Sequence, residues 1–236
     1  MMKKLTAAIA AATTLGFANM AHAEEFDTAI GTIDASMTAT LATDYIWRGQ
    51  SLTDGKGAVQ ASLDFAHESG VYLGAWGSNV DSDDFGGASI ELDYYVGYGG
   101  AITEEVTYDL GWANYTFPGN SSIDVYEWLA SVSAYGFTVG VKDTYNNADN
   151  HYYYVGYDLE LPYNLGLGLH YGDSNDKSGD GFDYNDWAVT LSTEALGLGW
   201  AVMYSDTDIK DADCGYSYSS TDSCGSNVTL MVSKSF

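Results

Sequence analysis

The chain carries 33 Asp and Glu against 8 Lys and Arg, and its one arginine, Arg48, stands in the stretch DYIWRGQS, after an aromatic residue and before a glycine. A guanidinium fork can hold two carboxylates at once. The carboxylates within reach of such chemistry are Asp44 in the same stretch, then Asp64, Glu91, Asp93, Asp109, Glu127, Asp158 and Glu160, with Lys142 as the one other base among them. A lone cation against an acidic wall can set up a transverse field that orients a passing solute. It can equally be a counter-charge that relieves crowded acids. Catalytic constellations are poorer. Outside the first 23 residues the histidines are His67, His151 and His170, and neither G-x-S-x-G nor H-E-x-x-H occurs. His151 with Asp149 and the Asp81–Asp84 run could imitate a hydrolytic pair, but loop carboxylates near one histidine are common by chance, and no enzyme is expected. The loop DKSGDG places Asp176, Ser178, Asp180 and Gly181 at positions one, three, five and six of an acidic calcium loop. Position twelve would be Trp187, which cannot ligate, and Asp183 or Asp186 could substitute only in another geometry. Loosely held calcium is the most this loop implies, and no resident cofactor is expected.

Something must hold these side chains in register, and the sequence offers strands. Ile90, Leu92, Tyr94, Val96 and Tyr98 alternate with Ser89, Glu91, Asp93 and Tyr95. The same period of two runs through Val106–Trp112, Tyr126–Val132, Tyr153–Leu161, Leu165–Tyr171, Leu198–Tyr204 and Val228–Val232, and helical periodicity is absent. Counted with Val59–Phe65, Phe137–Val141, Trp187–Leu191, Met37–Trp47 and Val71–Val80, about twelve strands result, an even number of the kind transmembrane barrels use. Their connections fall into two sets. HESG, GGAIT, AYG, LPYN and EALG are short, whereas GQSLTDGKG, DSDDFGG, FPGNSS, NNADN, DSNDKSGDGFD and the cysteine-bearing last loop are longer and polar.

Composition narrows the class further. A net charge of −25 excludes nucleic acid as a partner. A hydrophobic share of 46%, with 20 Tyr and 6 Trp, is too apolar and too aromatic for disorder. Residues 1–23 read as an export signal: Lys3 and Lys4, an apolar run from Leu5 to Phe17, and Ala21-His22-Ala23 as the cleavage site. That run falls short of the roughly 20 apolar residues a membrane span needs. Residues 24–236 then form one exported barrel domain. Cys214 and Cys224 are expected to be joined in an oxidising compartment, closing a short loop worth about 2–3 kcal/mol.

The two faces of the strands differ in chemistry. The apolar face carries no charge at its central positions. The other holds Asp44, Arg48, Asp64, Glu91, Asp93, Asp109, Glu127, Lys142, Asp158, Glu160, Asp186 and Glu194. A charge facing lipid at the midplane costs about 2–4 kcal/mol, so the charged face is expected to line a wet lumen. Tyr98, Trp112, Tyr171, Trp187 and Tyr204 near strand ends suit interfacial girdles. The first strand is read from Met37 to Trp47, with Tyr45 and Trp47 in the outer interface and Arg48 pointing inward at Asp64, Glu91 and Asp93. Tyr152 and Tyr154 could help fill the lumen.

The stretch TDYIWRGQSLTDGKGAVQASLDFAHESGVYLGAWGSNV resembles the opening of the TorF family of porin-type proteins, also called the Gcw_chp domain family. Tyr45, Arg48-Gly49, Ser51, Asp54, Gln60, Asp64, Ser69-Gly70 and Trp76-Gly77-Ser78-Asn79-Val80 carry the likeness, and IELDYYVGYGG and YYYVGYDLELPYNLGLGLHYG continue it. The terminal LMVSKSF is similar to the signal that such barrels present to the outer-membrane assembly machinery. The resemblance implies a Gram-negative outer-membrane β-barrel with no substrate attached. The combined expectation is an all-β, antiparallel up-and-down barrel set in outer-membrane lipid and lipopolysaccharide. It would pass small polar or cationic solutes through an acidic, cation-selective lumen. The alternative is a closed barrel with a structural or surface-binding role in its acidic loops.

Overall fold

Alternating side chains become a closed cylinder. A computed structural model describes residues 24–179 and 181–236; the expected export signal and Asp180 lie outside the described residues. Strands run in chain order as β1 (Glu24–Thr28), β2 (Gly31–Ala42), β3 (Ile46–Trp47), β4 (Gln50–Ser51), β5 (Ala58–His67), β6 (Val71–Asn79), β7 (Ile90–Ala101), β8 (Val106–Thr116), β9 (Val125–Ala134), β10 (Phe137–Asn146), β11 (Asn150–Leu161), β12 (Leu165–Asp176), β13 (Tyr184–Ala195), β14 (Leu198–Thr207) and β15 (Asn227–Ser235). From β5 to β15 each strand pairs antiparallel with the next. β2 closes the ring by pairing with β5 on one edge and β15 on the other, so twelve strands make the barrel. The edge of β2 is shared: β15 covers Thr38–Ala42, Phe236 bonds the backbone of Met37, and β1 covers Gly31–Ala35 in the same line.

The connections alternate as the sequence implies, two to four residues at one end and seven or more at the other, with the three-residue join between β10 and β11 as the exception. Two of the short ones are two-residue turns, Tyr135-Gly136 (φ 53° and 83°) and Leu196-Gly197 (φ 59° and 72°). Positive φ at both centres is the type I′ geometry that matches the twist of a hairpin, and glycine supplies the second centre without a Cβ clash. The last long loop contains a short helix, α1 (Asp211–Ser217), and the Cys214–Cys224 disulfide.

Outward positions such as Leu63, Leu73, Val96, Leu110, Val139, Val155, Leu169, Leu191, Val202 and Leu230 expose an apolar band. Inward positions hold the polar groups. Asp64, Glu91, Asp93, Glu127, Lys142, Asp186, Thr190, Ser205 and Thr229 are all buried. Asp158 and Glu160 share the face of Tyr152 and Tyr154 by strand parity, and Asp158 lies over the Cα of Gly168 on the next strand. Inward tyrosines lie flat on glycines directly across the ladder: Tyr72 on Gly97 and Tyr95 on Gly74. A Cβ on Gly97 would fall 2.2 Å from the Tyr72 ring. Gly97→Ala should therefore drive that ring off the wall and cost about 1–3 kcal/mol. Urea unfolding of the protein in micelles should give a lower midpoint; an unchanged midpoint would mean the ring has somewhere else to go.

One sequence expectation fails here. The first barrel strand ends at Ala42, not Trp47. The chain then enters the lumen as the small hairpin β3–β4. Tyr45 and Trp47 accordingly leave the outer interface. Tyr45 is buried with its ring 5.2 Å from Trp76, and Leu52, Val80, Ala113, Tyr115 and Phe117 complete that cluster. The cause is apolar area. Small wall residues such as Ala58 and Ala113 leave room inside the long-loop end, and the hairpin's apolar side chains gain more by filling it than by facing an interface.

Candidate functional site

The site is the tip of the β3–β4 hairpin inside the barrel. Ile46 pairs with Ser51 and Trp47 with Gln50, leaving Arg48-Gly49 as a two-residue turn with φ of 49° and 78°. This is the same type I′ geometry as the barrel's own short turns. Asp44 fixes the base of the hairpin. Ser51 Oγ donates to its Oδ1 at 2.7 Å, and Thr53 Oγ1 lies at the same distance. The Leu52 amide donates to the Tyr45 carbonyl at 2.8 Å, and the Asp81 amide to the Leu52 carbonyl at 2.8 Å. Gln50 Nε2 donates to the Tyr184 hydroxyl at 2.6 Å, tying the returning strand to β13.

At the rim, Lys56 pairs with Asp81 and, at 3.5 Å, with Asp54. The direct hydrogen bond from Lys56 holds the Asp81 carboxyl below its ordinary value. A depressed carboxyl contributes its tether at neutral pH and loses it as acid protonates the group. The disulfide loop packs above. Cys214 and Cys224 are joined as the sequence implies, Ser223 Oγ reaches Asp54 at 3.4 Å, and the Ser219 amide donates to Asp84 at 2.6 Å.

Arg48 spans the lumen. The turn backbone lies against β13 and β14, where a Cβ on Gly49 would meet Thr207 and Asp186. The guanidinium points to the far wall and forms an ion pair with Glu127 on β9. It lies between the rings of Trp47 and Tyr152, 4.2 Å from each centroid. Asn150 Oδ1 is 3.5 Å from Nη1. Glu127 is completely buried and also accepts from Tyr115 Oη and Thr144 Oγ1, both at 2.7 Å. Behind Tyr152, its hydroxyl contacts Asp186 at 2.9 Å and His170 Nε2 at 2.7 Å.

Arg48 was expected to face Asp64, Glu91 and Asp93, with no one partner among them; its ion pair is with Glu127. Asp64 accepts from Tyr95 and Ser62 instead. Glu91 and Asp93 are buried on β7 and each retains one oxygen with no hydrogen-bond partner among the described residues. Asp109 accepts from Tyr72 at 2.9 Å. Lys142 is buried on the same wall as Glu127, 6.0 Å from the centroid of Tyr154. Tyr152, Tyr115, Thr144 and Asn150 were not singled out as partners of the arginine. Glu127, Thr144 and Asn150 form one cross-strand row and Tyr115 lies diagonal to Glu127 on β8, so these groups meet through hairpin register. The arrival of Arg48 among them needs the hairpin inside the closed barrel, which no local pattern encodes.

The other candidates separate from this site. His151 pairs with Asp143 at 3.0 Å on the outward face, away from the lumen. His170 does face the lumen. In the acidic loop, Asp176 accepts from Ser178 Oγ and the Gly179 amide, both at 2.7 Å, and Asp183 accepts from the Asp176 amide at 2.9 Å. Those carboxylates thus fold the loop itself, and no cluster of three metal-ligating side chains occurs among the described residues. Beneath the hairpin, Tyr45, Trp47, Tyr72, Trp76, Asp93, Tyr95 and Asp109 line a cavity of about 40 Å³, room for water and not for a solute.

A family model described as "Bacterial protein of unknown function (Gcw_chp)" matches residues 27–236. No curated protein matches the chain. Among solved structures, the KdgM porin in complex with disordered oligogalacturonate is similar with a TM-score of 0.60 at 10% identity, covering 85% of this chain and 99% of that one. A second KdgM porin structure gives a TM-score of 0.59 at 11% identity, with 85% and 99% covered. The NanC porin gives 0.52 at 7% identity, with 84% and 97% covered. At these identities the likeness is one of fold.

Proposed function

The chain belongs to the Gcw_chp family, and on that premise we propose that it is an outer-membrane channel for small polar and cationic solutes, constricted by its own β3–β4 hairpin. The observation that carries this reading is the inner wall. Asp64, Glu91, Asp93, Asp109, Glu127, Asp158, Glu160 and Asp186 line it from one end to the other, against two inward bases, Arg48 and Lys142. Such a wall concentrates cations and repels anions, an effect that weakens as salt screens it. The oligogalacturonate held by the KdgM porin is an anionic chain, and it would meet carboxylates here. The likeness to that porin therefore supports the route and not the cargo. No catalytic role is part of this reading, because the one histidine in the lumen among the described residues, His170, sits behind Tyr152 and Asp186.

Planar-bilayer recording of the refolded mature chain in a KCl gradient tests the proposal. The reversal potential should lie on the cation side and move toward zero as total salt rises. Silence in both the wild type and Arg48→Ala would sink the channel, and the barrel would then serve through its acidic loops.

A further inference from the structure

We infer that Arg48 occupies, from within the chain, a recognition site for guanidinium-bearing solutes, which such a solute fills when the hairpin is displaced. The inference deepens the channel reading and rests on it for the solute's route of entry.

The contacts around the guanidinium are divided between the hairpin and the barrel. Only Trp47 and Arg48 belong to the hairpin. The groups that receive the guanidinium belong to the barrel: Glu127 on β9, and Tyr152 and Asn150 on β11. The Glu127 carboxylate is aimed by Tyr115 of β8 and Thr144 of β10, each 2.7 Å away, so its position does not depend on Arg48. Tyr152 is likewise fixed by Asp186 at 2.9 Å. Withdrawal of the hairpin would leave a pre-aimed carboxylate, an amide oxygen and the face of an aromatic ring. Guanidinium carries five donors, no acceptor and a flat face that stacks on rings. An ammonium ion offers a compact charge without that plane, and an alkali ion offers neither donors nor a face.

Charge points the same way. With Arg48 gone, Lys142 would be the one inward base left near Glu127, Asp93 and Asp186, and it makes no ion pair with Glu127 among the described residues. A planar cation entering the lumen would restore the balance that Arg48 supplies. In the wild type the tethered arginine competes at an effective concentration of roughly millimolar or above. Free solute must outcompete it before the site is seen.

Methylguanidinium is the probe. It is titrated by calorimetry into Arg48→Ala and wild-type protein in micelles, and added to bilayers holding the same proteins. Arg48→Gln, which keeps part of the side chain's bulk, serves as the second variant should Arg48→Ala assemble poorly. Saturable binding is expected in the Arg48 variants, at least about tenfold weaker in the wild type. Adding Glu127→Gln to the Arg48 variant should weaken it by about tenfold or more, the usual scale of a charge-assisted hydrogen bond. Methylammonium should bind more weakly than methylguanidinium. In bilayers methylguanidinium should block the current of the variant. Binding no tighter than that of methylammonium, or binding indifferent to Glu127→Gln, overturns the site. Saturable binding without any current supports the site and removes the channel. Current without binding overturns the site and leaves the channel.

Discussion

Replacing Arg48 with alanine is expected to turn a largely closed barrel into a conducting one. The ion pair with Glu127 is fully buried, both partners being under 5% exposed. Truncating one member of such a pair leaves the other charge desolvated and unpaired, at a cost of about 3–5 kcal/mol to the arrangement that buries it. Here that arrangement is the docked hairpin, since undocking readmits water to Glu127. A shift of about 3 kcal/mol moves a two-state ratio by roughly a hundredfold. The fraction of time the lumen stands open should rise by a factor of that order. Single-channel recording measures it directly, and heat-modifiable mobility on gels checks that the barrel has formed. Folded Arg48→Ala protein with wild-type conductance and open time would mean that the hairpin is held by its Tyr45 and Leu52 packing alone.

Val155→Arg is expected to be the most damaging single change on the barrel wall. Val155 lies midway along β11, on the outward face, opposite Tyr171. An arginine at the bilayer midplane costs about 2–4 kcal/mol. The loss should appear in reversible denaturant unfolding from lipid vesicles. Arginine at Tyr145, near the long-loop end of β10, should cost much less, since the penalty falls toward the interface. Equal penalties at the two depths would count against the membrane setting itself, because a protein-covered outer face carries no such gradient.

The barrel was legible in the sequence because its rule is local. A period of two decides which side chains face in, and turn length decides the end of the barrel. Neither requires knowledge of distant partners, which is why the inward acids from Asp64 to Asp186 lie on the expected face. The hairpin was harder. Tyr45, Ile46, Trp47 and Arg48 alternate equally well as the top of a long strand or as one arm of a short ribbon. The discriminating signal was Arg48-Gly49 itself. It has the residue-then-glycine form of Tyr135-Gly136 and Leu196-Gly197, flanked on both sides by alternating residues. Asp44 with Ser51 and Thr53 is a second sign of a chain doubling back. The partner of Arg48 could not be read at all. Glu127 is 79 residues away, and the two meet only across a closed cylinder.

The division of one edge of β2 between two segments bears on how copies of this molecule behave side by side. A long strand partnered by a shorter one leaves a bare selvedge, a row of unsatisfied amides and carbonyls on which a neighbouring chain can build. Here β15 zips the upper stretch and β1 continues below it, opposite Gly31–Ala35. Along β2 the seam carries no vacant stitch; the open hem passes to β1, only five residues long and bearing Glu24, Glu25 and Asp27, charges that discourage one cylinder from being sewn to the next.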